Sequence, residues 1–84
     1  MTDAVFSEVA SIVRNVLDAP SLELTPQTTA SDVELWDSFN HLNIVVAIEM
    51  TFGVKFKTAE IEELRNVGEL VALVENKVAA KKRR

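Results

Sequence analysis

Apolar residues recur at three- and four-residue steps in three separate segments of this 84-residue chain. That spacing puts the apolar side chains of each segment on one helical face, whereas a strand would need them at every second position. Helices are therefore expected over residues 3–18, 38–52 and 67–80. Because their apolar faces can be buried only against one another, the sequence predicts an all-α bundle.

Two other segments connect these helices. Residues 20–36 hold both prolines, a Thr- and Ser-rich stretch and scattered apolar residues, which predicts a long loop without regular structure lying on the core. Residues 54–57 alternate apolar and charged side chains like a strand, but no partner strand is expected, so we interpret them as an extended connector. Thr58 is expected to cap a short fourth helix at 59–64.

Length and composition limit the classes of function. A chain of 84 residues with 48% hydrophobic residues and two glycines fits one ordered domain, 1–84. It has no cysteine and one histidine, which excludes disulfides, a cysteine nucleophile and a cysteine-based zinc site. The longest apolar run, 44–48, is too short for a membrane span, and the acidic N-terminus does not resemble a signal peptide. We expect a cytoplasmic protein.

Charge is distributed unevenly along the chain. Four of the nine basic residues are the last four, so the other five accompany all 13 acidic residues and give a charge of −8 over residues 1–80. Such a field repels nucleic acid and favours docking to basic protein surfaces. We therefore expect a monomer with protein partners rich in Arg and Lys, no nucleic-acid partner, and a disordered basic tail at 81–84.

Ser38 stands where the long loop meets the second helix. It follows Asp37, a residue type that favours the N-cap position. At this position a hydroxyl is exposed and faces the positive end of the helix dipole, where backbone N–H groups favour phosphate. The sequence therefore predicts Ser38 as a site to which a phosphodiester could be attached.

The motif that includes this serine resembles the acyl carrier protein family. The family pattern is Asp-Ser-Leu at the start of the second helix, followed by an aliphatic run that ends in Glu-x-x-Phe-Gly-Ile/Val. The matching residues are Asp37, Ser38, Phe39, Glu49, Phe52, Gly53 and Val54. The resemblance covers nearly the whole chain, because the family's order of helix, long loop, helix, short helix and helix also fits. It implies a four-helix acyl-carrier-protein-like bundle.

By this resemblance the chain is a carrier and catalyses nothing itself. A phosphopantetheinyl transferase would join the 4′-phosphopantetheine of coenzyme A to Ser38, and the terminal thiol would hold acyl or aminoacyl cargo as a thioester. Asp37 would help to hold Mg²⁺ at the transferase active site. The expected partners are that transferase, a loading ligase and a downstream synthase or transferase with basic docking surfaces.

Two positions depart from the commonest family pattern. Phe39 replaces the usual Leu, and Trp36 precedes Asp37 where fatty-acid carriers usually have other residues. A Trp-Asp-Ser sequence is similar to specialised stand-alone carriers, which include D-alanyl carriers and carriers of secondary metabolism. The sequence does not identify the cargo, and it leaves lipid and secondary-metabolite biosynthesis open.

Partner docking is expected on the second and third helices. The predicted contacts are Phe39, Leu42 and Val46 beside the serine, with Glu60 and Glu63 as outer charge contacts. Each prediction has an alternative, because the three apolar residues could pack in the core and the acidic residues could belong to a solvated helix face.

Two alternative functions remain open at this point. Ser38, His41 and Asp37 supply the residue types of a hydrolase triad, although a small helical bundle offers little pocket or oxyanion hole. Alternatively the chain is a four-helix interaction module with no prosthetic group, in which Ser38 only starts a helix. Otherwise we expect His41 to be exposed and Trp36 to anchor the long loop on the core.

Overall fold

The computed structural model describes residues 3–82 and contains four α-helices. They are α1 (Asp3–Leu17), α2 (Ser38–Phe52), α3 (Thr58–Glu62) and α4 (Val67–Lys82). The part of the chain that the structure describes contains no β-strand, and residues 54–57 form an extended connector. The predicted all-α bundle is therefore confirmed, and the predicted bounds of α2 are correct to the residue.

The core lies between α1, α2 and α4. Its most deeply buried side chains are aliphatic: Val9, Val13, Ile44, Ile48, Val67, Leu70, Val71 and Val74. Burying one such side chain stabilises the fold by roughly 1.5–3 kcal/mol, so packing rather than local helix propensity holds the long helices together. The short α3 contributes no buried residue.

The loop between α1 and α2 lies on this core, as predicted. Trp36 is only 8% exposed and belongs to the core cluster, which confirms its anchoring role. The Nε–H of Arg14 donates to the Leu22 carbonyl at 2.7 Å and ties the loop to α1. The expectation of no regular structure is wrong, because Ala30–Asp32 form a 3₁₀ turn in which Asp32 accepts the Thr29 N–H at 3.0 Å.

The same loop supplies acceptors for the start of α4. The Thr28 and Pro26 carbonyls accept the N–H groups of Val67 and Gly68, each at 2.8 Å. The first N–H groups of a helix have no partner inside the helix, so these carbonyls satisfy two of them, and the Asn66 side chain accepts the Glu69 N–H at 2.8 Å. The loop and the last helix are thus connected by main-chain hydrogen bonds.

Helices α3 and α4 differ from their predicted bounds. α3 begins at Thr58 and ends at Glu62, because Glu60 accepts the Lys57 N–H at 2.8 Å and makes Lys57, rather than Thr58, the N-cap. α4 continues through Lys82, into the segment expected to be a disordered tail. Residues 83 and 84 lie outside the described part of the chain.

Gly53 ends α2 in the left-handed region of backbone conformation. Its φ is 67° and ψ is 39°, and its N–H donates to the Glu49 carbonyl at 2.8 Å. Glycine adopts this conformation without a steric penalty, whereas other L-residues lose roughly 1–2 kcal/mol. The turn that leads to the connector therefore depends on glycine.

We expect Gly53→Ala to lower the free energy of unfolding by about 1 kcal/mol. The added Cβ meets only the flexible end of Lys81, so backbone strain rather than crowding sets the effect. Gly53→Asn is the matched control, because Asn tolerates this conformation and should lose clearly less. Urea unfolding followed by Trp36 fluorescence measures both; equal losses in the two variants would contradict the explanation.

Candidate functional site

Asp37 fixes the start of α2. Its backbone is extended, and its Oδ1 accepts the Asn40 N–H at 2.8 Å. Its carbonyl accepts the His41 N–H at 2.8 Å, while the Asn40 side-chain amide donates to the Leu35 carbonyl at 2.8 Å. These contacts hold the last residues of the loop and the first turn of α2 in one arrangement.

Ser38 is the first residue of α2 and is exposed. The Asp37 side chain accepts the N–H of Asn40, the third residue of the helix. The N–H groups of the first two residues, Ser38 and Phe39, also lie at the positive end of the helix dipole. The hydroxyl is thus open to solvent in a position that favours an attached phosphate.

An open groove of about 690 Å³ lies beside Ser38, between the start of α2 and α3. Apolar and polar side chains both contribute to its walls: Ala30, Trp36, Asp37, Ser38, His41, Leu42, Thr58, Ile61, Glu62 and Leu64. Three separate parts of the chain therefore meet at the serine.

His41 lies in this groove and is half-buried, so the expectation of an exposed histidine is wrong. The indole N–H of Trp36 donates to its Nδ1 at 3.0 Å, and the two ring centroids are 6.1 Å apart. The polar atom of a buried indole thereby finds an acceptor, as buried Trp side chains usually require.

Burial lowers the pKa of His41 below its ordinary value of 6.5, and this effect exceeds that of a hydrogen bond with the Ile61 backbone, which raises it. In the neutral ring, Nδ1 accepts from Trp36, so the proton is on Nε2, the atom left to donate to that backbone. The Trp36–His41 hydrogen bond thus connects the end of the long loop to α2.

These contacts contradict the hydrolase alternative. A triad needs a carboxylate on the Nδ1 side of the imidazole, and the Trp36 indole occupies that side. The Asp37 carboxylate caps α2 through Asn40. Within residues 3–82, no group of three His, Asp or Glu side chains is arranged to hold a metal ion either.

The three apolar residues predicted for docking lie on the surface. Phe39 is 72% exposed, Leu42 58% and Val46 50%. The alternative that they pack in the core is therefore wrong. They follow one another at helical spacing along one face of α2, and we call these three residues the apolar stripe. Met50, 79% exposed, lies farther along the helix and was not singled out from the sequence.

The two predicted acidic contacts differ in their surroundings. Glu63 is exposed at the C-terminal end of α3. Glu60 accepts the Lys57 N–H and forms an ion pair with Lys77 at 2.9 Å; these hydrogen bonds, that of Lys57 first, lower the pKa of Glu60. Glu60 thus joins α3 to α4, and a partner would have to compete with Lys77.

Comparison with known proteins agrees with this geometry. Residues 7–74 match the family model described as "Phosphopantetheine attachment site". The chain is 30% identical to the acyl carrier protein of Thermotoga maritima over 90% of this chain and 94% of that protein. It is 28% identical to that of Acidothermus cellulolyticus over 88% of each.

A solved structure is similar over almost the same length. The solution structure of the holo acyl carrier protein from Geobacter metallireducens matches with a TM-score of 0.89 and 38% identity, covering 95% of this chain and 92% of that one. No helix within residues 3–82 is both long and apolar enough to cross a membrane.

The lowered pKa of His41 makes stability depend on pH. The unfolded chain binds a proton near pH 6.5, whereas the folded chain binds it only at lower pH, so the folded state loses stability as the pH falls. We expect the free energy of unfolding to be highest above about pH 7 and to fall towards about pH 5.5, before most carboxylates titrate.

His41→Gln removes the titrating group and is the control for this prediction. Urea unfolding at several pH values should give a smaller slope for this variant than for the parent over the same range. Identical slopes would show that His41 does not cause the pH dependence.

Proposed function

Because this chain belongs to the acyl carrier protein family, we propose that Ser38 is the residue that bears its phosphopantetheine arm. The protein is a carrier rather than an enzyme, and its prosthetic group is 4′-phosphopantetheine. That group supplies the thiol on which acyl-type cargo is held as a thioester, and the chain itself has no cysteine.

The position of Ser38 is the observation that supports this assignment. The sequence contains five serines, and Ser38 is the one that begins a long helix directly after an N-capping aspartate. Ser7 and Ser11 lie within α1, Ser21 lies in a turn of the long loop, and Ser31 lies in the 3₁₀ turn. Ser38 thus combines an exposed hydroxyl, the positive end of a helix dipole and an adjacent groove.

The residues around Ser38 fit a phosphopantetheine arm. The arm is an extended chain with a phosphodiester, a hydroxyl, two amides and methyl groups. The groove beside Ser38 is open and offers both polar side chains, such as Thr58, and apolar ones, such as Ile61 and Leu64. Asp37, exposed beside Ser38, would contribute to Mg²⁺ binding together with groups of the transferase.

We expect intact-protein mass spectrometry to show the gain of one phosphopantetheinyl group after incubation with coenzyme A, Mg²⁺ and a phosphopantetheinyl transferase. Ser38→Ala should fold and gain no mass, because it lacks the attacking hydroxyl. Ser31→Ala is the matched control, since it removes another exposed serine near the same end and should be modified like the parent. Modification of Ser38→Ala would overturn the assignment.

We further propose that partner enzymes dock on the apolar stripe and on the carboxylates of α3. An exposed row of large apolar side chains on a small acidic protein is typical of an interaction surface. Glu63 is exposed at the C-terminal end of α3, whereas the Glu60 carboxylate is already paired with Lys77. The expected partners are the transferase, a loading ligase and a downstream synthase, which meet in the cytoplasm.

Phe39→Ala should raise the KM of the transferase for the carrier about tenfold, because the loss of a large apolar contact at an interface is worth about 1–2 kcal/mol. Met50→Ala is the control: it removes another exposed apolar side chain about 18 Å along α2, beyond the first contacts with Ser38. Initial rates of phosphopantetheine transfer measure both variants. Equal effects of the two changes would contradict docking at the Ser38 end.

A further inference from the structure

The last turn of the long loop, directly before the attachment end of α2, exposes a large apolar side chain. The Trp36 N–H donates to the Val33 carbonyl at 3.0 Å and closes a β-turn. Its two central residues are Glu34 and Leu35. Turns usually hold glycine, proline or small polar residues, whereas Leu35 is 51% exposed here. Within residues 3–82, the other exposed large apolar side chains all lie on α2, so local turn chemistry does not explain this leucine.

The backbone of Leu35 is held at both ends of the turn. Val33 and Trp36, which flank the two central residues, are each only 8% exposed and belong to the core cluster. The Leu35 carbonyl accepts the Asp37 N–H at 3.1 Å and the Asn40 side-chain amide at 2.8 Å. The turn is therefore fixed to the core on one side and to the first turn of α2 on the other, with the leucine exposed between them.

The surroundings of Leu35 are acidic. Asp32, Glu34 and Asp37 are all exposed and lie within three residues of it in the sequence. An apolar side chain among charges of one sign fits a protein surface that offers an apolar contact surrounded by basic residues. Leu35 is also close to the attachment site, because the three residues that lead to Ser38 span at most about 11 Å.

We propose that Leu35 is a contact for the phosphopantetheinyl transferase, presented beside Ser38 by the Asn40 side chain. The proposal rests on the function proposed above and adds a loop contact to the apolar stripe of α2. The transferase forms its bond at the serine itself: the Ser38 oxygen bonds to phosphorus, the pyrophosphate bond of coenzyme A breaks, its nucleotide part leaves, and a base takes the serine proton. The transferase must therefore approach the residues around Ser38, whereas enzymes that use the thioester react at the far end of the arm.

Initial rates of phosphopantetheine transfer to the full-length chain test this contact. Leu35→Ala should raise the KM for the carrier about three- to tenfold with kcat within about twofold, because it removes an apolar contact made on docking. Leu35→Met keeps the apolar surface and should be close to the parent. Since the side chain is exposed, urea unfolding of both variants should match that of the parent. A parental KM for Leu35→Ala would overturn the proposal.

A double-variant cycle tests Asn40 as a positioning residue. Asn40→Ala keeps the backbone N–H that Asp37 accepts and removes only the side-chain hydrogen bond to the Leu35 carbonyl. It should raise KM several-fold in the parent but less than about twofold in the Leu35→Ala background, because changes that act through one contact are not additive. Asn76→Ala makes the same change at an exposed position of α4 and should leave KM unchanged. Independent effects of the two changes would show that Asn40 does not act through Leu35.

Ionic strength tests the basic character of the partner surface at this turn. Glu34→Gln should raise KM about twofold at low ionic strength and have no effect at high ionic strength, because salt screens exposed charges. A parental KM for Glu34→Gln at low ionic strength would contradict a basic surface there.

The same assay separates this proposal from the one on which it rests. Modification of the parent at Ser38 together with a parental KM for Leu35→Ala would overturn the loop contact and leave the attachment site standing. Failure of the parent itself to be modified at Ser38 would refute both.

Discussion

The hydrogen bond from the Asn40 N–H to the Asp37 carboxylate decides where α2 begins, and the exposed position of Ser38 follows from it. One residue before this cap, Trp36 is buried in the core; one residue after it, Ser38 is exposed. A change of register by one residue would move the serine away from the helix terminus, where the dipole favours a phosphate. Before the cap the chain packs on the core through Trp36, and directly after the cap the Ser38 hydroxyl is exposed.

Sequence reasoning succeeded where the determinants are local. Both ends of α2 were predicted because Asp37 and Gly53 are strong start and stop signals, and the long loop was recognised from its prolines. It failed where distant residues decide. The burial of His41 depends on how the loop and α3 pack beside it, which no periodicity predicts. The start of α3 was wrong for a local reason: Glu60 accepts the N–H of Lys57, three residues earlier, so the helix begins at Thr58. The sequence left open whether the apolar stripe packs in the core. The reason is that α2 is apolar on most of its circumference, so spacing alone does not identify its buried side.

Helix α2 thus has two apolar surfaces with different uses. Ile44, Val45 and Ile48 are buried, whereas Phe39, Leu42 and Val46 are not. Exposing large apolar side chains favours self-association, and the net charge of −4 opposes it through mutual repulsion. The acidic surface therefore keeps carrier molecules apart from one another, and the same charge would attract the basic partners proposed above.

The main-chain hydrogen bonds from Val67 and Gly68 to the Thr28 and Pro26 carbonyls also affect how the chain folds. These contacts join residues that are far apart in sequence, so the entropy of closing the intervening chain must be lost before they form. The first turn of α4 consequently gains these two hydrogen bonds only when the loop lies in its native position. A long connecting loop, which looks dispensable in a linear diagram of the chain, is thereby part of the cooperative unit, and shortening it would fray a helix at the far end of the sequence.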